Sequence, residues 1–456
     1  MQIRNIFLQF VQQSKPLNQL TNLAQNQVKP LQEYQGLKSI QSKQSKQFFN
    51  QIRQHFCAQA EIDTTYKFIL MQNHPPFFTD SYTKGKGQNY TGAPYHVDFV
   101  KVGSQNYPTN SEIKVSNYQR IKIDNVTYKN ISESIQGEIY SPDSIKINSY
   151  VQWAQEEGVQ WAKMIGLVVD TIKEEKKLYA AKFSLLAAVC YPTATAEDLL
   201  AHTKLITWLF FHDDRVDNPL YKTATSPTLL VELNSILGSI LDGNNQAQTQ
   251  DPLVRAFTEL HAYYSQKATE NSVEYYPFSL SLKQYFQASE NLVQKRADRL
   301  DTSNTDIYRQ WRDNTSAVDT VIWAELITKG VKLNQEQKDD LNVINFLKQI
   351  NICICDNNDF FSFKKELAAD PSYNENILIV LLKKQEALHE TLSIQKAFDE
   401  AILHINSSRE ELQKLISLLN KNVAFQQLCA TGKNWDVGCQ FWHQHSARYD
   451  LVTNEK

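Results

Sequence analysis

The chain has 456 residues, a hydrophobic fraction of 42% and a formal net charge of −3. That length allows one large domain or two ordinary ones, and the apolar share supports a sizeable core. The near-neutral balance excludes a global pull toward nucleic acid or an anionic membrane, and 13 Gly with 13 Pro favour long helices over a turn-rich β-protein.

Residues 1–60 form a Gln-rich leader with seven Lys/Arg, and Glu33 is its only acid. Ile3, Ile6, Phe7 and Phe10 fall near one helical face. The segment reads as an organelle transit peptide or as a disordered leader. The expected location is the cytoplasm, or an organelle in the first case. Residues 61–140 hold short alternating stretches such as NSEIKVSNYQRIKIDNVTY, which predict a few strands or an irregular arm packed on the next domain. From Pro142 and Asp143 onward, apolar residues recur at three- and four-residue steps. Residues 141–456 therefore read as one all-α domain of about ten helices. Single helices are expected through YRQWRDNTSAVDTVIWAELI, through QEQKDDLNVINFLKQINICICDNNDFFSFKKEL and through NENILIVLLKKQEALHETLSIQKAFDEAILHI, with a last one near REELQKLISLLNKNVAFQQLC. The six cysteines are scattered and fit no zinc or redox spacing, so reduced thiols are expected. The longest apolar runs, LITWLFF and ILIVLL, are too short to span a bilayer.

Two stretches carry chemistry. In FFHDDRVDN, Asp213 and Asp217 are i and i+4, so their carboxylates share a helix face with Asp214 beside them. Such a cluster most often marks solvated surface; buried, it is costly alone and favourable once a hard cation neutralises it. In NNDFFSFKKE, Asn358, Ser362 and Glu366 are i, i+4 and i+8, with Asp359 beside the start and Lys365 flanking the end. This oxygen-only set suits Mg²⁺ and not zinc or iron. Either row alone reads as a polar helix face; together they suggest two walls around a shared metal cluster.

DDRVD resembles the aspartate-rich motif of class I terpene synthases of the microbial type, and NDFFSFKKE resembles their Asn-Asp-x-x-Ser-x-x-x-Glu motif. The separation of 145 residues (358 − 213) matches the family, as does Arg312, which precedes Asn358 by 46 (358 − 312), where the family has its pyrophosphate-sensing arginine. FWHQHSARYD resembles the closing Arg-Tyr pattern, with Arg448 and Tyr449 behind Trp442. The resemblance covers about residues 140–456. It implies an all-α class I terpenoid synthase bundle carrying an N-terminal extension of mixed or irregular structure. It further implies a prenyl diphosphate substrate, farnesyl first and geranylgeranyl next, and a trinuclear Mg²⁺ cluster for which Mn²⁺ can substitute. Asp213, Asp214, Asp217, Asn358, Ser362 and Glu366 are the implied metal ligands. Arg312, Lys365, Arg448 and Tyr449 are the implied diphosphate contacts, and Phe210, Phe211, Trp323 and Trp442 the expected cavity wall. Thr315 and Ser316 stand at the third and fourth positions after Arg312, where the family often has Gly at a helix break that triggers ionisation. No Gly or Pro follows here until Gly330, which predicts a break of different shape.

Expected partners are the small-molecule diphosphate, with no nucleic acid and no transmembrane segment, and the expected state is monomer or homodimer. A chain-elongating prenyltransferase of the same fold would need a second Asp-rich motif. A metal phosphohydrolase built on His212 would need a closer histidine than His202, and His212 reads as structural. A non-catalytic helical binding protein would be free to lose at least one motif residue. Residues 1–140 offer no Asp-x-Asp-Asp stretch for protonation-initiated cyclisation.

Overall fold

Three antiparallel strand pairs precede the helices in the computed structural model, which describes residues 93–115, 118–140, 144–168, 172–218, 220–244, 250–298, 304–369 and 375–449. All lie in Pro76–Lys456, one of the two compact units of the chain. The leader expected over residues 1–60, and Pro142 with Asp143, lie outside the described residues. β1 (Phe99–Val102) pairs with β2 (Gln105–Pro108), β3 (Ile113–Lys114) with β6 (Ser144–Ile145), and β4 (Tyr118–Tyr128) with β5 (Ile131–Tyr140).

The helices follow as α1 (Val151–Met164), α2 (Ile172–Ala181), α3 (Phe183–Cys190), α4 (Ala196–Asp217) and α5 (Lys222–Thr225). Next come α6 (Pro227–Leu241), α7 (Pro252–Glu270), α8 (Tyr276–Ala297), α9 (Thr305–Thr315) and α10 (Val318–Thr328). The last are α11 (Gln335–Lys338), α12 (Leu341–Ala369), α13 (Ile377–Ala387), α14 (Ile394–Leu419) and α15 (Gln426–His445). No helix among the described residues is long and apolar enough to cross a membrane. Cys190, Cys353, Cys355, Cys429 and Cys439 are free and buried.

Several expected boundaries are corrected. Among the described residues the first helix begins at Val151, because Ser144–Ile145 is drawn into a strand and Asn148 ties the entry by donating to Ala194 O at 2.8 Å. The helix expected through YRQWRDNTSAVDTVIWAELI is two, parted at Ser316–Ala317, where Ala317 adopts φ +54°. The one expected through residues 374–405 is also two, with His389 at φ +54° past the end of α13 and Ser393 capping α14 through Lys396 N. The segment REELQKLISLL completes α14, and the last helix is α15, which carries the start of the closing motif.

The long hairpin β4–β5 closes one side of the bundle. Ile121, Val126, Ile135 and Ile139 point inward to a second core containing Phe360, Phe363 and Leu367 from α12 and Phe398 from α14. Gly137 lies on that same face between Ile135 and Ile139. A Cβ there would meet Ile402 Cδ1 at 2.1 Å, so the bare backbone lets α14 approach. Arg409 of α14, fully buried, donates to Asp436 Oδ1 at 2.7 Å and to Tyr140 O at 2.5 Å, joining hairpin, α14 and α15. The main core takes in α4 and α15 together with the first part of α12, through Phe346 and Ile350, and the end of α14, through Leu412 and Leu419.

Gly432 sets the approach of α15 to α12. A Cβ on it would meet Ile350 Cδ1 at 2.2 Å and the buried Phe346 ring at 2.6 Å. Gly432→Ala is therefore expected to destabilise the fold by about 1–3 kcal/mol through overpacking, read as a fall in the urea midpoint. An unchanged midpoint would show that the Phe346 ring has room to yield.

Candidate active site

The aspartates stand at the C-terminal end of α4, a 22-residue helix started by Thr195, whose side chain accepts from Asp198 N. Carboxylates at that end oppose the helix dipole, so the position depends on cationic neighbours. Facing them is α12. Its apolar residues Phe360, Phe363 and Leu367 point into the second core, which leaves Asn358, Ser362 and Glu366 on the opposite face. The two helices border one cavity of about 1230 Å³. Asp213, Asp214, Asp217, Arg312, Thr315, Ser316, Asn358, Lys365, Glu366, Arg448 and Tyr449 all reach its wall. Ser362 does not: it is 2% exposed and lies under Asn376, whose Nδ2 donates to Glu366 Oε2 at 2.9 Å.

Asp214, Asp217, Asp359 and Glu366 each rest on a cation or an amide. Arg448 Nη2 donates to Asp214 Oδ1 at 3.0 Å. Arg312 Nη2 donates to Asn358 Oδ1 at 2.9 Å and to Asp359 Oδ1 at 3.0 Å. Tyr308 also donates to buried Asp359, and Ile377 N adds a bond at 2.7 Å, so Asp359 joins α9, α12 and α13. Asn358 Nδ2 donates to Tyr449 Oη at 2.7 Å and faces His443 Nε2 at 3.2 Å. Burial pulls His443 down to about 3, so the ring is neutral and its Nε2 can accept, which aims Asn358 Oδ1 at Arg312. Burial, and then Arg448, hold Lys365 below the ordinary lysine range.

Beyond the charged end the wall is apolar. Phe210 stacks on Phe183 with centroids 4.5 Å apart and lies 5.5 Å from Trp442. Arg448 sits over Phe210 at 4.5 Å, where charged and apolar ends meet. Two expected wall residues are corrected. Phe211 is turned about 100° from Phe210 around α4, and Trp323 about 200° from Val321 around α10, so neither lines the cavity. Trp311 does, with Lys295 3.5 Å above its ring. His212 is buried between Tyr285 Oη at 2.8 Å and Asn234 Oδ1 at 2.9 Å, and His202 pairs with Glu325 at 3.0 Å. Neither lines the cavity, which removes the phosphohydrolase alternative.

Sequence reasoning passed over Arg296, Glu375, Asn376 and His443. They come from three separate places in the chain, Glu375 and Asn376 being consecutive, and carry no spacing signal; only the position of His443 inside FWHQHSARYD offered a hint.

The donor set fits a hard cation. Among the described residues no three His, Cys, Asp or Glu side chains converge closely enough to hold a metal by themselves. Mg²⁺ commonly takes one or two carboxylates and fills the rest of its shell with phosphate oxygens and water. Burial, then Asp217 and Asp214, raise Asp213 to about 7, and burial, then Asp359, raise Glu366 to about 8. These are desolvated carboxyls short of positive charge. Folding takes up protons at both, so the stability they contribute at low pH is lost as pH rises from about 4 through 7 and 8. The thermal midpoint of the ligand-free protein is expected to decline over that window, with a shallower slope in Glu366→Gln. Equal slopes in both proteins would contradict the raised value at Glu366.

The family described as terpene synthase family 2, C-terminal metal binding, matches residues 204–411, a span containing both oxygen rows. A relative from Roseiflexus castenholzii, (+)-T-muurolol synthase ((2E,6E)-farnesyl diphosphate cyclizing), is 26% identical over 68% of this chain and 91% of its own. The chain is similar in sequence and in fold to the microbial-type class I terpene synthases. Terpene synthase 4 of Physarum polycephalum is 21% identical over 67% of this chain and 88% of its own. The fold agrees with germacradien-4-ol synthase from Streptomyces citricolor at a TM-score of 0.56 and 18% identity, covering 67% of this chain and 97% of that chain.

Proposed function

We propose that this terpene synthase ionises farnesyl diphosphate with Mg²⁺ and converts the allylic cation to a cyclised or rearranged sesquiterpene, releasing diphosphate. The observation that carries the reading is the polarity of the cavity: oxygen donors on two walls with arginines at one end, aromatic rings behind them. Asp213, Asp214 and Asp217 on α4 and Asn358 and Glu366 on α12, which line the cavity, would hold Mg²⁺, or Mn²⁺ in its place. Bound there, a trinuclear cluster would supply positive charge for the departing oxygens.

The side chains do the rest. Arg312 and Arg448 exchange their present acids for the diphosphate as it enters, each with a guanidinium shaped for bidentate contact. Lys365 adds a point charge and the Tyr449 hydroxyl a neutral donor. The C–O bond breaks and its electron pair leaves with the diphosphate, so no nucleophilic side chain is required. Phe210 and Trp442 offer ring faces to the cation and keep water from it. Thr315 and Ser316 lie at the break between α9 and α10. There Ser316 Oγ donates to Asn351 Oδ1 at 3.1 Å and accepts from Val318 N at 3.3 Å, tying the break beside Arg312. The farnesyl chain length is supported by the Roseiflexus relative, whose own name specifies (2E,6E)-farnesyl diphosphate.

The test is incubation of the full chain with geranyl, farnesyl and geranylgeranyl diphosphates, each with Mg²⁺ and with chelator, followed by gas chromatography–mass spectrometry. A metal-dependent hydrocarbon or alcohol from farnesyl diphosphate is expected. A product from geranylgeranyl diphosphate alone would overturn the chain length, and no product from any would overturn the reading.

A further inference from the structure

At the rim of the cavity the last turn of α8 sets Arg296 between two carboxylates. Its Nη2 donates to Asp217 Oδ1 at 2.6 Å. Its Nε donates to Glu375 Oε1 at 2.5 Å, and Nη2 also reaches Glu375 Oε2. The remaining nitrogen, Nη1, donates at 2.7 Å to Val216 O, one of the carbonyls near the C-terminal end of α4. Glu375 is the more enclosed partner, its side chain 12% exposed against 32% for Asp217. It also directly precedes Asn376, which holds Glu366 and the Asp359 carbonyl.

We propose that Glu375 is a stand-in counter-ion that lets Arg296 release Asp217 to a divalent cation. The inference rests on the reading of Asp217 as part of the cation-holding wall. In this structure the charge of Asp217 is already engaged by Arg296, so a cation arriving there must displace a guanidinium. A guanidinium with no other carboxylate would resist, because partly buried positive charge loses water on the way. Arg296 is gripped by both oxygens of Glu375, the geometry that guanidinium favours. When Asp217 turns away, Arg296 keeps Glu375 and Val216 O, and little is lost. Glu375 thereby lowers the cation concentration needed to fill the site without touching substrate: it is a positioning residue.

The experiment counts bound Mn²⁺ by electron paramagnetic resonance in the full chain with saturating inorganic pyrophosphate, a readout separate from turnover. Glu375→Gln is expected to weaken Mn²⁺ binding about 5-fold or more, and Arg296→Gln to strengthen it or leave it unchanged. Long-range charge alone would give the same signs, so both changes are repeated in Asp217→Asn. There the effect of Glu375→Gln is expected to vanish, because no carboxylate remains to be released. Glu375→Asp, which keeps the charge and shortens the reach, is expected to behave like Glu375→Gln. Full persistence of the effect in Asp217→Asn, or wild-type affinity in Glu375→Gln, would overturn the inference and leave the terpene synthase reading intact. Absence of Mn²⁺ uptake by the wild-type protein would remove the cation-holding wall and this inference with it.

Discussion

Asp213→Asn combined with Asn358→Ala is expected to lower turnover of farnesyl diphosphate at least about 10³-fold at any Mg²⁺ concentration. The two residues stand on facing helices, α4 and α12, and both reach the cavity wall. Asp213 is held short of positive charge, with its carboxyl raised to about 7 by burial and by its two aspartate neighbours. Asn358 is held by Arg312, Tyr449 and His443, and Arg312 is itself anchored on Asp359, so the Asn358 side chain is placed before any ligand arrives. Such preorganised groups act where charge develops and need no rearrangement at that moment. The measurement is single-turnover product formation, with circular dichroism to confirm that the variant is folded. Retention of full turnover would place the chemistry elsewhere.

Arg312→Gln is expected to lower kcat about 10²–10³-fold while changing KM much less. Its guanidinium lies at the last turn of α9, shortly before the left-handed turn at Ala317, and its Nη2 spans Asn358 and Asp359 of α12. The charge on a diphosphate grows as the C–O bond lengthens, so a donor aimed at it contributes more at the transition state than at binding. Arg312→Lys is expected to recover only part of the loss, since an ammonium lacks the fork. A variant that raised KM and kept kcat would mark Arg312 as a binding contact only.

The parts of the site that were legible in the sequence are those carried by one helix at a time. Asp213 and Asp217, and Asn358, Ser362 and Glu366, repeat at four-residue steps, and a helix turns such spacing into a shared face. What stayed hidden depends on how elements meet. Arg296 and Glu375 become neighbours only because the last turn of α8 meets the residue that precedes the α13 cap, Asn376. Phe211 has the same composition signal as Phe210 and differs only in rotation about α4. The break between α9 and α10 uses Ala317 at φ +54°, a residue that gives no warning of a left-handed turn. The strands were half visible, as alternation in NSEIKVSNYQRIKIDNVTY. Their docking against the outer face of α12, through Ile121, Ile135 and Ile139, depends on Gly137 meeting α14, which periodicity does not encode.

The most direct test of the two-walled site is a crystal structure of the chain with Mn²⁺ and inorganic pyrophosphate, with the metals located by anomalous scattering. Manganese is expected between Asp213 on α4 and Asn358 and Glu366 on α12, with Arg312 and Arg448 turned from their acids onto the pyrophosphate. Pyrophosphate bound away from these side chains, or a cavity that takes up no manganese in its presence, would contradict it.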